Sequence, residues 1–316
     1  MRARSSCLAV LMSLVALVST ASPAPADDSN EPLPVPYTFP LPAVLAGIRL
    51  GTDAPGTNDW TCKPSAAHPD PVVLVHGTFG NKSTNWQTFG PLLANEGYCV
   101  YALTYGTSPQ VPARFREGFG GLGEIESSAA ELKDFVARVL ESTSAAQVDI
   151  LGHSQGTLMP NYYAKFLGGA PFIDDYVSLA SLWHGTNPLG LASLAAQGRR
   201  YGFPTSQFAF FPAGTQMLKG SEFIETMRSG GTPAVPGITY TNIVTKYDEL
   251  VIPYKSGIEP GMTNIVVQDV CRRDLSDHLA IAADPVAAQL VLNALDPANA
   301  KSPRCRLVLP VLGRLR

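Results

Sequence analysis

Residues 148–166 read VDILGHSQGTLMPNYYAKF, and their pattern changes at Gly152. Before this glycine runs a β-branched stretch typical of a strand, and after Gly156 an apolar pattern of helical length begins. A serine in a Gly-x-Ser-x-Gly turn between a strand and a helix is the pattern of a nucleophile elbow, in which strained backbone holds the hydroxyl above the sheet edge. We therefore predict that Ser154 is a nucleophile with the positive end of a helix beneath it.

Strand and helix patterns alternate on both sides of this turn. Residues 72–75, VVLV, form a continuous β-branched run of the kind found in parallel strands that are buried on both faces. Further strands are predicted at 98–103, 148–151, 176–182, 238–244 and 264–267, and helices at 85–95, 124–142 and 279–295. Such alternation is typical of right-handed βαβ units. The predicted fold class is therefore α/β, with a mostly parallel central sheet and helices on both faces.

Length and composition indicate one folded domain behind an export signal. The 316 residues are 45% hydrophobic and 16% charged, and no break in composition divides them. The first 26 residues contain Arg2 and Arg4, an apolar run at 8–18 and an Ala-Pro-Ala end, which is the pattern of a secretory signal peptide cleaved after Ala26. We therefore expect a secreted, extracellular protein whose residues 27–316 form a single domain.

The charge balance excludes one class of partner. Cleavage would remove two of the 23 basic residues and leave 21 against 26 acidic residues, a formal charge of −5. Nucleic-acid binding needs a basic patch, which is not found here. The apolar runs are also shorter than the ~20 residues that a membrane-spanning helix requires. We therefore expect no nucleic-acid partner and no transmembrane segment. We also expect a monomer.

Four cysteines remain after cleavage, namely Cys62, Cys99, Cys271 and Cys305. An even number in an exported chain favours disulfides, and three pairings are possible. We favour Cys62 with Cys99 and Cys271 with Cys305, because each pair brackets neighbouring elements and closes a loop of moderate length, for about 3 to 4 kcal/mol of stabilisation each. None of the four has the CxxC spacing of zinc or redox sites, so no metal is predicted.

A nucleophilic serine needs a base within hydrogen-bond reach and an acid that orients the base. Of the five histidines, His278 is the predicted base, because it follows the last strand and opens the last helix, in the chain order serine, acid, histidine. His184 is the alternative, because it follows the end of a strand. Its position before the acid in the chain counts against it. His76 and His153 lie inside turn motifs, where side chains support the backbone, and His68 lies in a Pro-rich loop.

The predicted acid is Asp248, which follows the fifth predicted strand at the carboxyl edge of the sheet. Glu249 is the alternative, one residue further on. The other carboxylates are less suitable. Asp174 and Asp175 precede their strand and so belong to the wrong edge, whereas Asp269, Asp274 and Asp277 are read as loop and helix-capping residues.

The tetrahedral intermediate needs donors for its oxyanion, and losing one donor costs about 3 to 4 kcal/mol in a studied protease. The amide of Gln155, directly after the nucleophile, is the first predicted donor. The amide of Thr78, in the turn His76-Gly77-Thr78 after the first strand, is the second. The Thr78 hydroxyl is a candidate for a third.

Several segments together resemble a known family. They are VVLVHGTFGNKSTNW from residue 72, GYCVYALTYG from 97, GHSQGTLMPNYYAKFLGGA from 152, NIVTKYDELVIPYKSG from 242 and DHLAIAADP from 277. In this order they closely resemble the secreted bacterial lipases of the lipase class 2 type, in the α/β-hydrolase superfamily, over about residues 72–297.

This resemblance implies an α/β-hydrolase fold and hydrolysis of carboxylic esters, commonly triacylglycerols and other acyl esters, without a cofactor. It carries over Ser154, Asp248 and His278 as the triad and Thr78 and Gln155 at the oxyanion hole, and it places bridges at both favoured cysteine pairs. Two places depart from the family pattern, and either would alter the pocket wall. They are Thr157, where many relatives have a glycine, and Trp183-His184-Gly185-Thr186, where a turn containing Pro or Asn is more usual.

Two segments, 106–123 and 185–223, interrupt the strand and helix alternation. Both follow strands and therefore lie over the carboxyl edge of the sheet, where such folds bind ligands. Their aromatic residues are Phe115 and Phe119 in the first, and Tyr201, Phe203, Phe208, Phe210 and Phe211 in the second. We predict that they form a small cap or lid and an acyl-chain pocket; ordinary core packing is the alternative.

The predicted function is that of a secreted serine esterase or lipase that cleaves lipid or other acyl esters, with a lipid–water interface as a candidate place of action. A polyester depolymerase and an acyltransferase would use the same triad. From a different class, the fold could serve as an inactive binding module.

Overall fold

The computed structural model describes residues 31–39, 52–190 and 212–314. Six parallel strands of one sheet lie in this part of the chain. They are β1 (Val72–Val75), β2 (Val100–Leu103), β3 (Val148–His153), β4 (Ile173–Leu179), β5 (Thr239–Val244) and β6 (Thr263–Val266). Their spatial order is β2-β1-β3-β4-β5-β6, and all five neighbouring pairs are parallel. The predicted α/β fold class is confirmed, and the sheet is parallel throughout the described residues.

Helices connect the strands. The described α-helices are α1 (Phe89–Asn95), α2 (Ile125–Thr143), α3 (Met159–Phe166), α4 (Pro212–Gln216), α5 (Glu222–Met227), α6 (Val267–Val270) and α7 (Pro285–Leu295). Short 3₁₀ turns lie at Ala113–Gly118, Ser154–Thr157, Ala170–Phe172, Pro188–Gly190, Tyr254–Gly257, Ala280–Ala283 and Pro297–Asn299. Among the described helices, none is both long and apolar enough to cross a membrane.

The sheet separates two apolar layers. Successive strand residues point to opposite faces, so that Val73 and Val75 pack with α2 and α3, whereas Val72 and Leu74 pack with α1 and α7. Because both faces are covered, the strands are apolar on both sides and not alternating. The sheet is therefore accessible only at its edges and at the loops that leave them.

The fourth strand begins and ends earlier than predicted. It runs over Ile173–Leu179 and not over 176–182, because Ala180 takes a left-handed conformation with φ of 50° and ends it. Asp174 and Asp175 therefore lie within the strand rather than before it. They nevertheless lie in its amino half, on the opposite edge from the predicted site.

Two helices start later than predicted. Residues 81–84 form a turn in which Asn81 Oδ1 accepts the amides of Ser83 and Thr84 at 2.8 Å each, and α1 begins only at Phe89. The last helix is interrupted at Asp284, whose extended backbone precedes a proline. Its carboxylate caps the amide of Val286 at 2.8 Å, so α7 begins at Pro285.

The described residues from Leu33 onward belong to one compact unit. The predicted signal peptide lies outside the described residues, and its cleavage and the 27–316 domain boundary stay predictions. The five aromatic residues of the second predicted cap segment, from Tyr201 to Phe211, also lie outside the described residues.

Candidate active site

The serine turn follows from the close approach of two elements. Strand β3 ends at His153, and Ser154 adopts φ of 55°, which is a strained conformation for a residue with a side chain. A Cβ atom on Gly152 would lie 2.1 Å from the carbonyl oxygen of Gly156, and one on Gly156 would lie 2.0 Å from that of Val75. Only glycine fits at both positions, so the sequence enforces the sharp turn that places the serine beyond the end of β3.

His278 lies within hydrogen-bond reach of this hydroxyl. Its Nε2 is 2.9 Å from Ser154 Oγ. Two contacts hold the loop that carries it: Asp277 Oδ1 accepts the amide of Ala280 at 2.8 Å, and His153 Nε2 donates to the His278 carbonyl at 2.8 Å. The base is thus fixed through the residue next to the nucleophile.

Asp248, the third residue of the predicted triad, lies in the loop after β5. Its carboxylate oxygens are 2.9 and 3.0 Å from His278 Nδ1, and its side chain is only 2% exposed. Asp248 Oδ1 also accepts the amides of Leu250 and Val251, at 3.0 and 2.7 Å. These donors orient the carboxylate, so that Nδ1 carries the hydrogen and Nε2 can accept the serine proton.

The alternative acid has a different position. Glu249 Oε2 accepts the backbone amide of His278 at 3.2 Å and makes no bond to the ring. It therefore supports the loop of the base and adds negative charge beside it.

Burial and neighbouring charge act on His278 in opposite directions. Burial lowers the pKa of its imidazole, but the charge and hydrogen bond of Asp248, helped by Glu249 and Asp277, raise it more, and the pKa is higher than the ordinary value. The imidazolium that forms when the serine proton is removed is thereby stabilised. Desolvation lowers the pKa of His153 to about 3, so this neighbour stays neutral.

The other histidines have structural surroundings. His76 Nδ1 donates to the Gly77 carbonyl at 2.7 Å and the ring stacks on Tyr105, with a pKa lowered to about 4 by burial. His184 lies 3.0 Å from Glu259, and His68 stacks on Tyr98.

The remaining carboxylates also have local partners. Asp269 pairs with Lys246, Asp274 accepts the amide of Ser276, and Asp277 accepts that of Ala280.

The predicted oxyanion donors lie beside the nucleophile. A Cβ atom on Gly77 would be 3.0 Å from Ser154 Cβ, so the turn after β1 packs directly on the serine. In the described part of the chain, the backbone amides of Thr78 and Gln155 donate no hydrogen bond. The Thr78 hydroxyl donates to Gln155 Oε1 at 2.7 Å, and its proton therefore holds the two donor segments together.

A cavity of about 390 Å³ opens onto Ser154 and His278. Its apolar wall consists of Phe39, Phe79, Leu182, Pro188, Met217, Leu218, Leu250, Val251 and Leu279. The second predicted cap segment contributes to this wall through residues on either side of 191–211, whereas 106–123 contributes no lining residue in the described structure. Of the two family departures, Thr186 lines the cavity and Thr157 does not.

Sequence reasoning missed most of this wall and one polar support. Asn85 lines the cavity, and its Oδ1 accepts the amide of Gly77 at 3.3 Å. The sequence placed Asn85 in a helix. A signal for its role was the cluster of turn-forming residues before the first helix, which is typical of a loop.

The predicted cysteine pairs are joined in the structure. One disulfide connects Cys62 and Cys99, and the other connects Cys271 and Cys305. The second anchors the chain seven residues before His278.

A carboxylate cluster lies at the amino edge of the sheet. Asp70, Asp149 and Asp174 offer oxygen atoms within 4.8 Å of one another. Asp149 is 5% exposed, and burial and the charge of Asp175 raise its pKa well above the ordinary value. Asp149 lies near the start of β3 and Ser154 directly follows its end, five residues on, which corresponds to about 16 Å of extended chain. The cluster is therefore separate from the triad.

Residues 69–291 of the chain match the family model described as Lipase (class 2). The chain belongs to the class 2 lipase family. Two solved structures agree with this chain in fold. Aspergillus fumigatus lipase B has a TM-score of 0.59 at 21% identity, covering 80% of this chain and 57% of its own. Bacillus licheniformis lipase BlEst2 in its mature form has a TM-score of 0.53 at 15% identity, covering 75% and 94%.

At these identities the two structures support the fold alone. The chain spans little more than half the length of the fungal lipase chain.

Proposed function

We propose that this protein is a secreted serine hydrolase of carboxylic esters, a lipase that cleaves triacylglycerols and other acyl esters. The proposal is carried by one observation: beside an apolar cavity, His278 Nδ1 lies 2.9 Å from Asp248 Oδ1 and His278 Nε2 lies 2.9 Å from Ser154 Oγ. A hydroxyl aligned with a neutral imidazole can attack an ester carbonyl, and the cavity suits an acyl chain.

In the proposed first half-reaction, Ser154 Oγ bonds to the ester carbonyl carbon while its proton passes to His278 Nε2. The carbonyl oxygen becomes an oxyanion, which the amides of Thr78 and Gln155 stabilise. His278 then returns the proton to the leaving alkoxide, and an alcohol departs from the acyl-enzyme. Asp248 keeps the imidazolium oriented throughout.

In the second half-reaction a water molecule gives its proton to His278 and attacks the acyl carbon. Collapse of this intermediate releases the carboxylic acid and reprotonates Ser154. The apolar wall holds the acyl chain through both steps, so that binding energy remote from the ester contributes to catalysis.

Hydrolysis of a p-nitrophenyl ester series and of emulsified triacylglycerol tests this proposal. We expect release of fatty acid, and covalent labelling by an active-site-directed fluorophosphonate at Ser154. The Ser154→Ala variant should be neither active nor labelled. A folded wild-type protein without turnover or labelling would indicate a binding module instead.

Two related activities are distinguished by product analysis. Formation of a new ester with an added alcohol, in preference to free acid, would indicate an acyltransferase, and soluble products from a polyester film would indicate a depolymerase.

The predicted export of the protein has its own test. N-terminal sequencing of protein from the culture medium should begin at Asp27, in agreement with the two disulfides of an oxidising compartment.

A further inference from the structure

Thr186 connects two separate segments of the cavity wall. Its amide donates to the carbonyl of Met217 at 2.9 Å, and its carbonyl accepts the amide of Lys219 at 2.9 Å. Its hydroxyl donates to the carbonyl of Leu250 at 2.6 Å and accepts the amide of Ile252 at 2.9 Å. One residue that is 8% exposed therefore makes four hydrogen bonds, two to each segment.

These two segments carry much of the apolar wall. Met217 and Leu218 come from the first, Leu250 and Val251 come from the second, and all four line the cavity that contains Ser154. Apolar contact is non-directional, so packing alone does not fix how the segments sit relative to each other. Hydrogen bonds require a defined distance and angle, so the hydrogen bonds of Thr186 fix the position of one segment relative to the other.

The second segment also holds the acid. The amides of Leu250 and Val251 donate to Asp248 Oδ1. A shift of this segment would therefore affect every substrate through the triad, in addition to any effect on the acyl chain. The effect on the triad is the same for two esters measured on one variant, and it cancels in their ratio.

We propose that the Thr186 hydroxyl is a positioning group that sets the acyl-chain specificity of the site. The proposal rests on the ester hydrolysis proposed above. A long acyl chain contacts the wall formed by 217–218 and 250–251, whereas an acetyl group lies only beside Ser154. Without the hydroxyl, the second segment keeps the bond from the Asn187 amide to the Ile252 carbonyl at 2.9 Å but loses both bonds at Thr186. The two segments are then held less firmly, and a long chain must order them as it binds.

The test compares kcat/KM for p-nitrophenyl octanoate with that for p-nitrophenyl acetate. In Thr186→Val, which keeps the shape of the side chain and removes both hydroxyl bonds, the ratio should fall about tenfold, as expected for the loss of two buried hydrogen bonds. Thr186→Ser keeps the hydroxyl and should restore the wild-type ratio. Thr186→Ala, which adds no bulk, gives the same comparison if the valine variant fails to fold.

Thr143→Val is the matched control. Thr143 is a buried threonine whose hydroxyl donates to the Val139 carbonyl at 2.7 Å in α2, and it does not line the cavity. This variant should lower the melting temperature and leave the ratio unchanged.

The proposal is overturned if Thr186→Val and Thr186→Ala keep the wild-type ratio, or if Thr186→Ser behaves like valine. Both results leave acetate hydrolysis as evidence for the triad. Absence of any hydrolysis by the wild-type protein would instead remove the proposed function, so the two failures are distinguishable.

Discussion

At the scale of single residues, the site depends on which atoms carry protons. Asp248 fixes the hydrogen on His278 Nδ1, and Nε2 faces Ser154 Oγ at 2.9 Å. His153, which is buried and neutral, donates to the His278 carbonyl and cannot compete for the serine proton. The hydrogen bonds of each residue in the proposed triad therefore suit one role in the reaction.

Replacing the nucleophile should abolish turnover. We expect Ser154→Ala to lower kcat by about 10⁴-fold or more, because members of a triad act as a unit. The measurement is steady-state hydrolysis of a p-nitrophenyl ester. Ser178→Ala is the control, since it removes a buried hydroxyl of β4 that has no hydrogen-bond partner among the described residues. Activity of the Ser154 variant within tenfold of wild type would contradict the assignment.

The pH profile should report the charge around His278. The base must be neutral to accept a proton, so kcat/KM falls below its pKa, which lies above the ordinary histidine value. Glu249→Gln removes one of the charges that raise this pKa and keeps an oxygen for the His278 amide. We expect the acidic limb to move to lower pH. Glu141→Gln, an exposed change in α2, should not move it; an unmoved limb in Glu249→Gln would refute the argument.

At the scale of elements, the base is carried by a loop and not by a strand or helix. Residues 271–279 connect α6 to the 3₁₀ turn Ala280–Ala283, and the Leu275 amide donates to the Val308 carbonyl at 3.0 Å. The disulfide from Cys271 to Cys305 attaches the same loop to the C-terminal segment. The position of His278 therefore depends on a segment that is remote in sequence.

Removing the two disulfides separately should have different effects on activity. The loops they close are of similar length, with sequence separations of 37 and 34, so each contributes about 4 kcal/mol to stability by loop entropy. The double change Cys271→Ser and Cys305→Ser should lower kcat/KM as well as the melting temperature. The double change Cys62→Ser and Cys99→Ser should lower the melting temperature alone. Equal activity in both folded variants would show that the bridge does not position the base.

At the scale of the whole molecule, the parallel sheet separates the ionisable groups at its carboxyl edge from those at its amino edge. Loops after β1, β3, β5 and β6 bring the proposed oxyanion donors, nucleophile, acid and base together at the carboxyl edge. The amino edge carries Asp70, Asp149, Asp174 and Asp175, and among the described residues no Lys or Arg forms an ion pair with them. Their mutual repulsion and the burial of Asp149 make this edge sensitive to pH.

The stabilisation contributed by protonated Asp149 should therefore fall as the pH rises. The pKa of Asp149 is raised well above its ordinary value in the folded state, so the folded protein binds the proton more tightly than the unfolded chain. This stabilisation is fully present below the unfolded pKa and is lost as pH rises through the folded pKa. Asp149→Asn keeps an oxygen for the Asp175 amide and should melt higher than wild type by a margin that grows from about pH 4 to pH 8.

Thermal unfolding across this pH range measures the margin. Asp134→Asn, an exposed change in α2, is the control and should show no such trend. A constant difference between Asp149→Asn and wild type would mean that folding does not raise the pKa of this carboxyl group.

The sequence by itself determined the α/β fold and the segments that reach the site. The strand runs, the glycines around Ser154 and the order of serine, acid and histidine are local patterns, and local patterns follow from backbone sterics and the burial of apolar residues. The tertiary structure alone decided that Glu249 contacts the backbone and not the ring of His278, that the Thr78 hydroxyl binds Gln155, and that Thr186 joins two parts of the cavity wall. These contacts join residues 29 to 77 positions apart, and their distances depend on how packed elements meet. No local pattern in the chain encodes that geometry.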